Sequence, residues 1–499
     1  MAALNVSALL FDYLSLQICL IFSVSFLIVY RLLTRQKQVK LPPGPPCLPL
    51  VGNIHKLGGK QIHAVTANMS AKYGGIMNIN LAGKKAVLLT DLHIIREAFL
   101  DKTDRFSDRS NSRFGEYING YRGSLIFENG NGWKSHRRTT LRALRNFGMG
   151  KRSLENQINE EGRCLARSFE QENGRPFNPQ ATVQNAVANV ICSISFGNRY
   201  DYDDPEFRRL LDYIKGFMKK LAGPSLVAVF PRLWFTPLYK SLRKQNDEMR
   251  TFLQEVVEQH KDTFDVNDIR DIIDVHLQNN DEEGGTAEQK LPQALIWRGL
   301  FDLFAAGTDT TSNTILWGIL LLTQYPHVQE KMQQEIDDVI GRERPPTLPD
   351  RLHLPYVDAT LMEIQRFRPV ACFVPPRAAS VDTEIRGYKI AKGTQVWANL
   401  YAVLHSPEHW SDPDEFIPER FLSADGKKTE APDAFIPFGA GRRICIGEQL
   451  ARMELFLFLT NLLQRFTLKI PQEDPKPNLA GYHGLTLSPD RFRICAVTR

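Results

Sequence analysis

The sequence has no paired-cysteine motif. Its seven cysteines (Cys19, Cys47, Cys164, Cys192, Cys372, Cys445 and Cys495) are odd in number, widely scattered and without a CxxC pair. That excludes a disulfide framework and the spacings of structural zinc, and it reads as a reduced compartment in which six of the seven serve as small buried hydrophobes. Strong net charge is missing too. A surplus of +6 over 499 residues gives no argument for nucleic acid; an acidic partner protein or an anionic membrane surface accounts for it equally well. There is no internal repeat, and with 43% hydrophobic and 24% charged residues the composition excludes collagen-like, low-complexity and acidic-tail classes. The length suits one large domain or two ordinary ones.

One stretch lacks charge altogether. From Tyr13 to Tyr30, with Ala8 to Leu10 before it and Leu32 and Leu33 after it, the chain can cross a hydrocarbon layer of roughly 30 Å. Arg31, Arg35, Lys37 and Lys40 follow, which puts the rest of the chain in the cytosol. A cleaved secretory signal is the rival, but the charged n-region and small-residue cleavage site are missing. Residues 1–33 are therefore expected to be an uncleaved N-terminal transmembrane signal anchor, 34–53 a basic and proline-rich hinge, and 54–499 one domain.

Within the hinge, Leu41-Pro42-Pro43-Gly44-Pro45-Pro46 fixes an extended spacer between membrane and domain. Gly75 to Asp91 alternates apolar and polar residues around Ala82-Gly83-Lys84-Lys85, which predicts a hairpin; a second β-rich stretch runs from Val374 to Val403 with Gly387 and Gly393 as turn residues. The longest helical pattern, Pro292 to Tyr325, would reach about 50 Å and is apolar on most faces, so it should run through the core. The expected fold class is mainly α with a small β region assembled from distant parts of the chain. Residues 221–239 are apolar but broken by Pro224, Pro231 and Pro237, and read either as a core loop or as a surface that dips into a membrane.

The segment Phe438 to Gly447 is the most specific feature. Its glycines Gly439, Gly441 and Gly447 permit tight turns and close approach to a flat ligand, and helical spacing resumes after it through Arg465. Cys445 then sits at a helix N-terminus, where free amides and the helix dipole favour a thiolate. A buried structural cysteine on a glycine-rich turn is the bland reading. Five specified residues match by accident about once in ten thousand chains of this length, at about 5% per residue.

Phe438, Gly441, Arg443, Cys445 and Gly447 fill every specified place of Phe-x-x-Gly-x-Arg-x-Cys-x-Gly, and here the chain resembles the cytochrome P450 family. The resemblance runs from the anchor and proline hinge to this loop. Leu141 to Lys151 and the run Ala306-Gly307-Thr308-Asp309-Thr310-Thr311 look like the animal microsomal subgroup called family 2. What it implies is a P450 fold, haem b held by the Cys445 thiolate, O2 as co-substrate, and electrons from NADPH through a flavoprotein reductase, with cytochrome b5 as a further candidate partner. It also implies hydroxylation of a lipophilic small molecule, such as a fatty acid, steroid or xenobiotic, at the endoplasmic reticulum membrane with the catalytic domain facing the cytosol. A haem-thiolate isomerase or dehydratase and a non-catalytic haem protein are the rivals; the Asp309-Thr310 pair, which would deliver protons to dioxygen, speaks against the former.

The same resemblance distributes roles. In the core helix, Ala306 and its small neighbours leave room beside a haem, and a glycine costing about 1 kcal/mol in a helix requires such a reason. Thr310 can bond back to the Ala306 carbonyl and loosen the helix, while Asp309 relays protons. Trp133, Arg137, Arg377, Arg443 and, more weakly, Arg109 match residues that hold haem propionates. Glu363 and Arg366 form the Glu-x-x-Arg motif, with Arg420 as the third member of a structural cluster. Phe301, Phe304, Ala305, Cys372, Phe373, Val374 and Leu485 are expected to line an apolar substrate pocket without internal charge. Arg138, Arg142 and Arg145 form a stripe turned away from Trp133 and Arg137; it is either a solvated face or the docking surface of the reductase.

Overall fold

The computed structural model describes residues 40–499, apart from 49–50, 58, 60, 111–112, 119, 148–151, 221–226, 228–229 and 282–290, and ahead of them residues 18, 21–23 and 25–26. Most of the anchor expected over 1–33 thus lies outside the described residues. Among those described, no helix is long and apolar enough to cross a membrane.

The architecture is helix-rich with small sheets. A helix at Ile296–Gln324 forms the axis, preceded by a 3₁₀ turn at Gln293–Leu295. Almost its whole circumference is buried, as an all-round apolar pattern requires. Helices Gln180–Phe196, Lys240–Asp262, Pro355–Phe367 and Glu448–Arg465 pack against it, and Arg152–Gln171 packs on the first and last of these to complete the main core. Among the described α-helices, proline opens three, at Pro205, Pro326 and Pro355, where its missing N–H costs no hydrogen bond.

The strands are β1 (Ile76–Leu81), β2 (Lys84–Leu89), β3 (Asp108–Arg109), β4 (Arg377–Ala378), β5 (Thr383–Ile385), β6 (Tyr388–Ile390), β7 (Gln395–Ala398), β8 (Phe466–Lys469), β9 (Tyr482–His483), β10 (Leu487–Ser488) and β11 (Cys495–Thr498). The largest sheet has the order β1-β2-β7-β4-β3, with β2 and β7 parallel and the other neighbours antiparallel. The expected hairpin is β1–β2. Its two turn residues, Ala82 and Gly83, have φ of 48° and 86°, the left-handed pair that matches strand twist. The second β-rich stretch holds β4 to β7 but ends early: Leu400–Leu404 is a short helix capped by the Asn399 side chain.

The proline segment departs from a free spacer. Asn78 of β1 donates to the Pro43 carbonyl (2.8 Å), and Asn53 donates to those of Pro45 and Pro46 (3.2 and 3.1 Å). Pro42 and Pro45 are buried. Proline keeps its carbonyl acceptor although it has lost its donor, so the segment is stitched to the sheet through acceptors alone.

Of the stretch 221–239, residues 227 and 230–239 are described. Val227, Trp234 and Tyr239 are buried in the main core, whereas Phe230, Phe235 and Leu238 are 56%, 60% and 72% exposed.

Candidate functional site

The cysteine loop is closed by its own backbone: the Cys445 amide donates to the Phe438 carbonyl (3.1 Å), across a 3₁₀ turn at Gly441–Arg443. Gly441 has φ of 75°, and a Cβ there would lie 1.9 Å from the Phe99 carbonyl oxygen, so no other residue fits without moving backbone. Helix Glu448–Arg465 begins just beyond, with Gly447 as its N-cap. Proximity to the helix does not make the thiol acidic. Burial pushes Cys445 above its ordinary value, outweighing the Gly447 amide and the Arg137 charge, which pull it down. A metal bound to the sulfur would favour the thiolate.

Around the loop stand arginines that form no ion pair among the described residues. Arg443 lies 3.5 Å over the Trp133 ring and donates to the carbonyls of Ser107 (3.0 Å) and Glu128 (2.6 Å). Arg377, which is 1% exposed, lies 3.5 Å over the Phe99 ring and donates to the Ala440 carbonyl (2.6 Å). Arg109 donates to the carbonyls of Ile126 and Pro375, and Arg137 to that of Ile444. Nε and Nη1 of Arg377 and Nη1 of Arg443 are buried without a hydrogen-bond partner. Burial first, and mutual repulsion second, push Arg377 down to about 8, Arg443 to about 9 and Arg109 to about 10. Buried cations with unused donors call for an anion. Two propionates meet that need, so the residues present fit a haem. Trp133 donates its own N–H to the Leu125 carbonyl (3.2 Å) and offers Arg443 a ring face.

On the core helix, Ala306 is exposed although Ala305 and Thr308 beside it are buried. Cys445 likewise keeps accessible surface within a desolvated setting. Both accord with an interior cleft. The Thr310 hydroxyl donates to the Ala306 carbonyl (2.6 Å), the back-bond expected from the sequence. Asp309 accepts from the Thr486 hydroxyl (2.6 Å). Burial raises the Asp309 carboxyl above the ordinary range, while Thr486 and Asn313 draw it back. Thr486 was missed from sequence; the signal was present in principle, since a carboxylate on a buried helix needs a donor from elsewhere.

Glu363, Arg366 and Arg420 come together. Arg366 makes a two-pronged pair with Glu363 (2.6 and 2.8 Å), both wholly buried, and Arg420 reaches the same carboxylate at 3.3 Å. Of the expected pocket residues, Leu485 is exposed and Phe373 and Val374 are half-buried, whereas Phe301, Phe304, Ala305 and Cys372 are fully buried. Phe304 packs toward Phe196 in the main core. A buried ion pair, Arg298–Asp302 at 3.0 Å, lies one turn along the helix with Arg298 over the Phe301 ring. The basic stripe is corrected: Arg138, Arg142 and Arg145 share one surface depression of about 660 Å³ with Trp133, Arg137 and Arg442, so the stripe is continuous with the loop region instead of turned from it.

Comparison with known proteins agrees with this arrangement. The family model for cytochrome P450 matches residues 42–496. The chain is 38% identical to cytochrome P450 2J2 of Homo sapiens over 480 residues, covering 95% of each chain. It is 41% identical to cytochrome P450 2C14 of Oryctolagus cuniculus over 441 residues, 88% of this chain and 89% of that one. With cytochrome P450 2U1 of Mus musculus the identity is 36% over 485 residues, 93% and 91% of the two chains. Fold, loop and extent of similarity lead to one conclusion: this chain belongs to the cytochrome P450 family and is a P450 monooxygenase, an oxidoreductase.

Proposed function

We propose that the protein hydroxylates a lipophilic small molecule, of the fatty acid, steroid or xenobiotic kind, with electrons from NADPH delivered by a flavoprotein reductase at the endoplasmic reticulum membrane. The observation that carries the reading is Cys445 in its closed loop beside Arg377 and Arg443, whose buried donors await an anion. Cys445 would hold the haem iron, and Arg377, Arg443, Arg137 and Arg109 would hold its propionates, with the Trp133 ring against Arg443. When bound, a haem with thiolate ligation supplies oxygen activation and insertion of one oxygen atom into an unreactive C–H bond.

The remaining chemistry belongs to this chain. Asp309, raised by burial, holds a proton nearer to neutral pH than an exposed aspartate does. Thr310 spends its hydroxyl proton on Ala306 and keeps lone pairs to receive one from water. Ala305, Phe301, Phe373, Val374 and Leu485 present apolar surface to the substrate. Glu363, Arg366 and Arg420 hold the chain ahead of the cysteine loop in place. The depression containing Arg138, Arg142 and Arg145 takes the acidic face of the reductase, with cytochrome b5 a second candidate there. Phe230, Phe235 and Leu238 touch the lipid beside the 1–33 anchor.

The test is the carbon monoxide difference spectrum of the reduced protein beside Cys445→Ala. A red-shifted Soret band in the parent alone is expected. A band at the imidazole position in both would overturn the ligand assignment.

A further inference from the structure

His63, Cys372 and His483 converge far from one another in sequence. One ligating atom from each lies within 4.8 Å of the other two. His63 comes from helix Ile62–Tyr73, Cys372 from the loop before β4, and His483 from β9. His63 is 2% exposed and Cys372 0%, and the Cys372 thiol donates to the Pro369 carbonyl (3.3 Å). The imidazoles stack at 5.2 Å, and the rings of Tyr401 and Phe373 enclose them. Nδ1 of His63 is buried without a hydrogen bond, and the ring nitrogens of His483 meet only the backbone of His483 itself and Gly484, short of good hydrogen-bond geometry. Orphan nitrogens at that depth are costly. Burial holds both rings in the neutral form that can ligate, His63 at about 3 and His483 at about 4.

We propose that these three side chains bind one copper(I) ion in a trigonal site. The donor set of one thiolate and two imidazoles suits soft and borderline ions, which leaves copper(I) and zinc(II) as candidates. Two features choose between them. Structural zinc sites are closed by four protein donors, and zinc held by three keeps a water as the fourth; here the three donors stand between the rings of Tyr401 and Phe373, with His63 and Cys372 closed from solvent. Charge decides in the same direction. Arg368 acts electrostatically on both His63 and Cys372. When copper(I) enters, the Cys372 thiol releases its proton to water as the Cu–S bond forms, so one positive charge replaces another. Zinc would leave an added positive charge next to a guanidinium in a desolvated place. With metal–donor bonds of about 2.0–2.3 Å, a trigonal site spaces its donors about 3.6 Å apart, so closure from the present separation needs side-chain movement of about 1 Å. The ion would tie together three chain segments, and it would fix Phe373 and Val374, the residues next to Cys372.

The test uses full-length holoprotein, reduced and anaerobic, titrated with copper(I) against the chromophoric chelator bicinchoninate. The parent should withhold one equivalent more than either Cys372→Ser or His483→Gln, with the carbon monoxide band of the variants showing that they remain folded. Zinc titrated in the same way should show no such difference. X-ray absorption at the copper edge should give one sulfur and two nitrogen neighbours. Equal copper retention by parent and folded His483→Gln would overturn the site. Preferential retention of zinc would overturn the choice of ion, and a two-sulfur copper shell would place the metal on other cysteines. His483 is only partly buried, so its variant serves if the deeply buried His63→Gln fails to fold.

Discussion

Thr486→Val isolates the proton-handling role of Asp309. The substitution keeps shape and removes the 2.6 Å hydroxyl bond to the Asp309 carboxylate. A hydrogen bond to a charged group is worth about 1.5–3 kcal/mol, and about 1.4 kcal/mol corresponds to one pKa unit. Asp309 should therefore titrate about one to two units higher in the variant, on top of the rise that burial already imposes. The sign follows from linkage: with its folded value further above its unfolded one, the carboxyl favours the folded state more as pH falls through that folded value. A donor works while protonated, so the decline in coupling as pH rises should move to higher pH by the same one to two units. The assay is product formed per NADPH consumed, with reductase, across the pH range. The limb belonging to Asp309 is the one absent from Asp309→Asn. Superimposable profiles for parent and Thr486→Val, with the carbon monoxide band intact, would refute the reasoning.

Three further outcomes are expected. Gly441→Ala, at φ of 75° and against the Phe99 carbonyl, should cost at least about 1–3 kcal/mol of backbone strain; haem content per mole of protein should fall, and an unchanged content would count against the close approach. Glu363→Gln leaves Arg366 buried without its carboxylate, at about 3–5 kcal/mol; thermal unfolding of the holoprotein should show the loss, and a shift equivalent to under about 1 kcal/mol would contradict the pair. Arg142→Glu with Arg145→Glu should raise the KM for reductase several-fold at low salt and by less at high salt. A KM equal to the parent's would remove the reductase from that depression.

What could be read in the sequence was local. The β1–β2 turn follows from Ala82-Gly83 between alternating strands, and the core helix from an apolar run too long for a strand. The back-bond from Thr310 to Ala306 is fixed by helical geometry alone. The Thr486–Asp309 bond, the packing of Phe304 against Phe196, and the seating of Pro43 on Asn78 depend on elements that meet only in the folded chain. No periodicity encodes them. The helix N-terminus beside Cys445 is likewise visible in sequence, whereas the desolvation that raises its thiol belongs to the folded chain.

The Arg366 guanidinium donates to the carbonyls of Leu404, Pro413 and Glu415, and Arg420 to those of Ser411, Asp412 and Glu415. Between the end of the Leu400–Leu404 helix and the turn at Pro418–Phe421 there is no helix or strand, so two side chains stand in for the ladder that would ordinarily organise such a stretch. A ladder can fray rung by rung. A knot of this kind ties the stretch at several carbonyls at once, so the hydrogen-bonded amides within it, those of His405, His409, Trp410 and Glu415, should be released together when it opens.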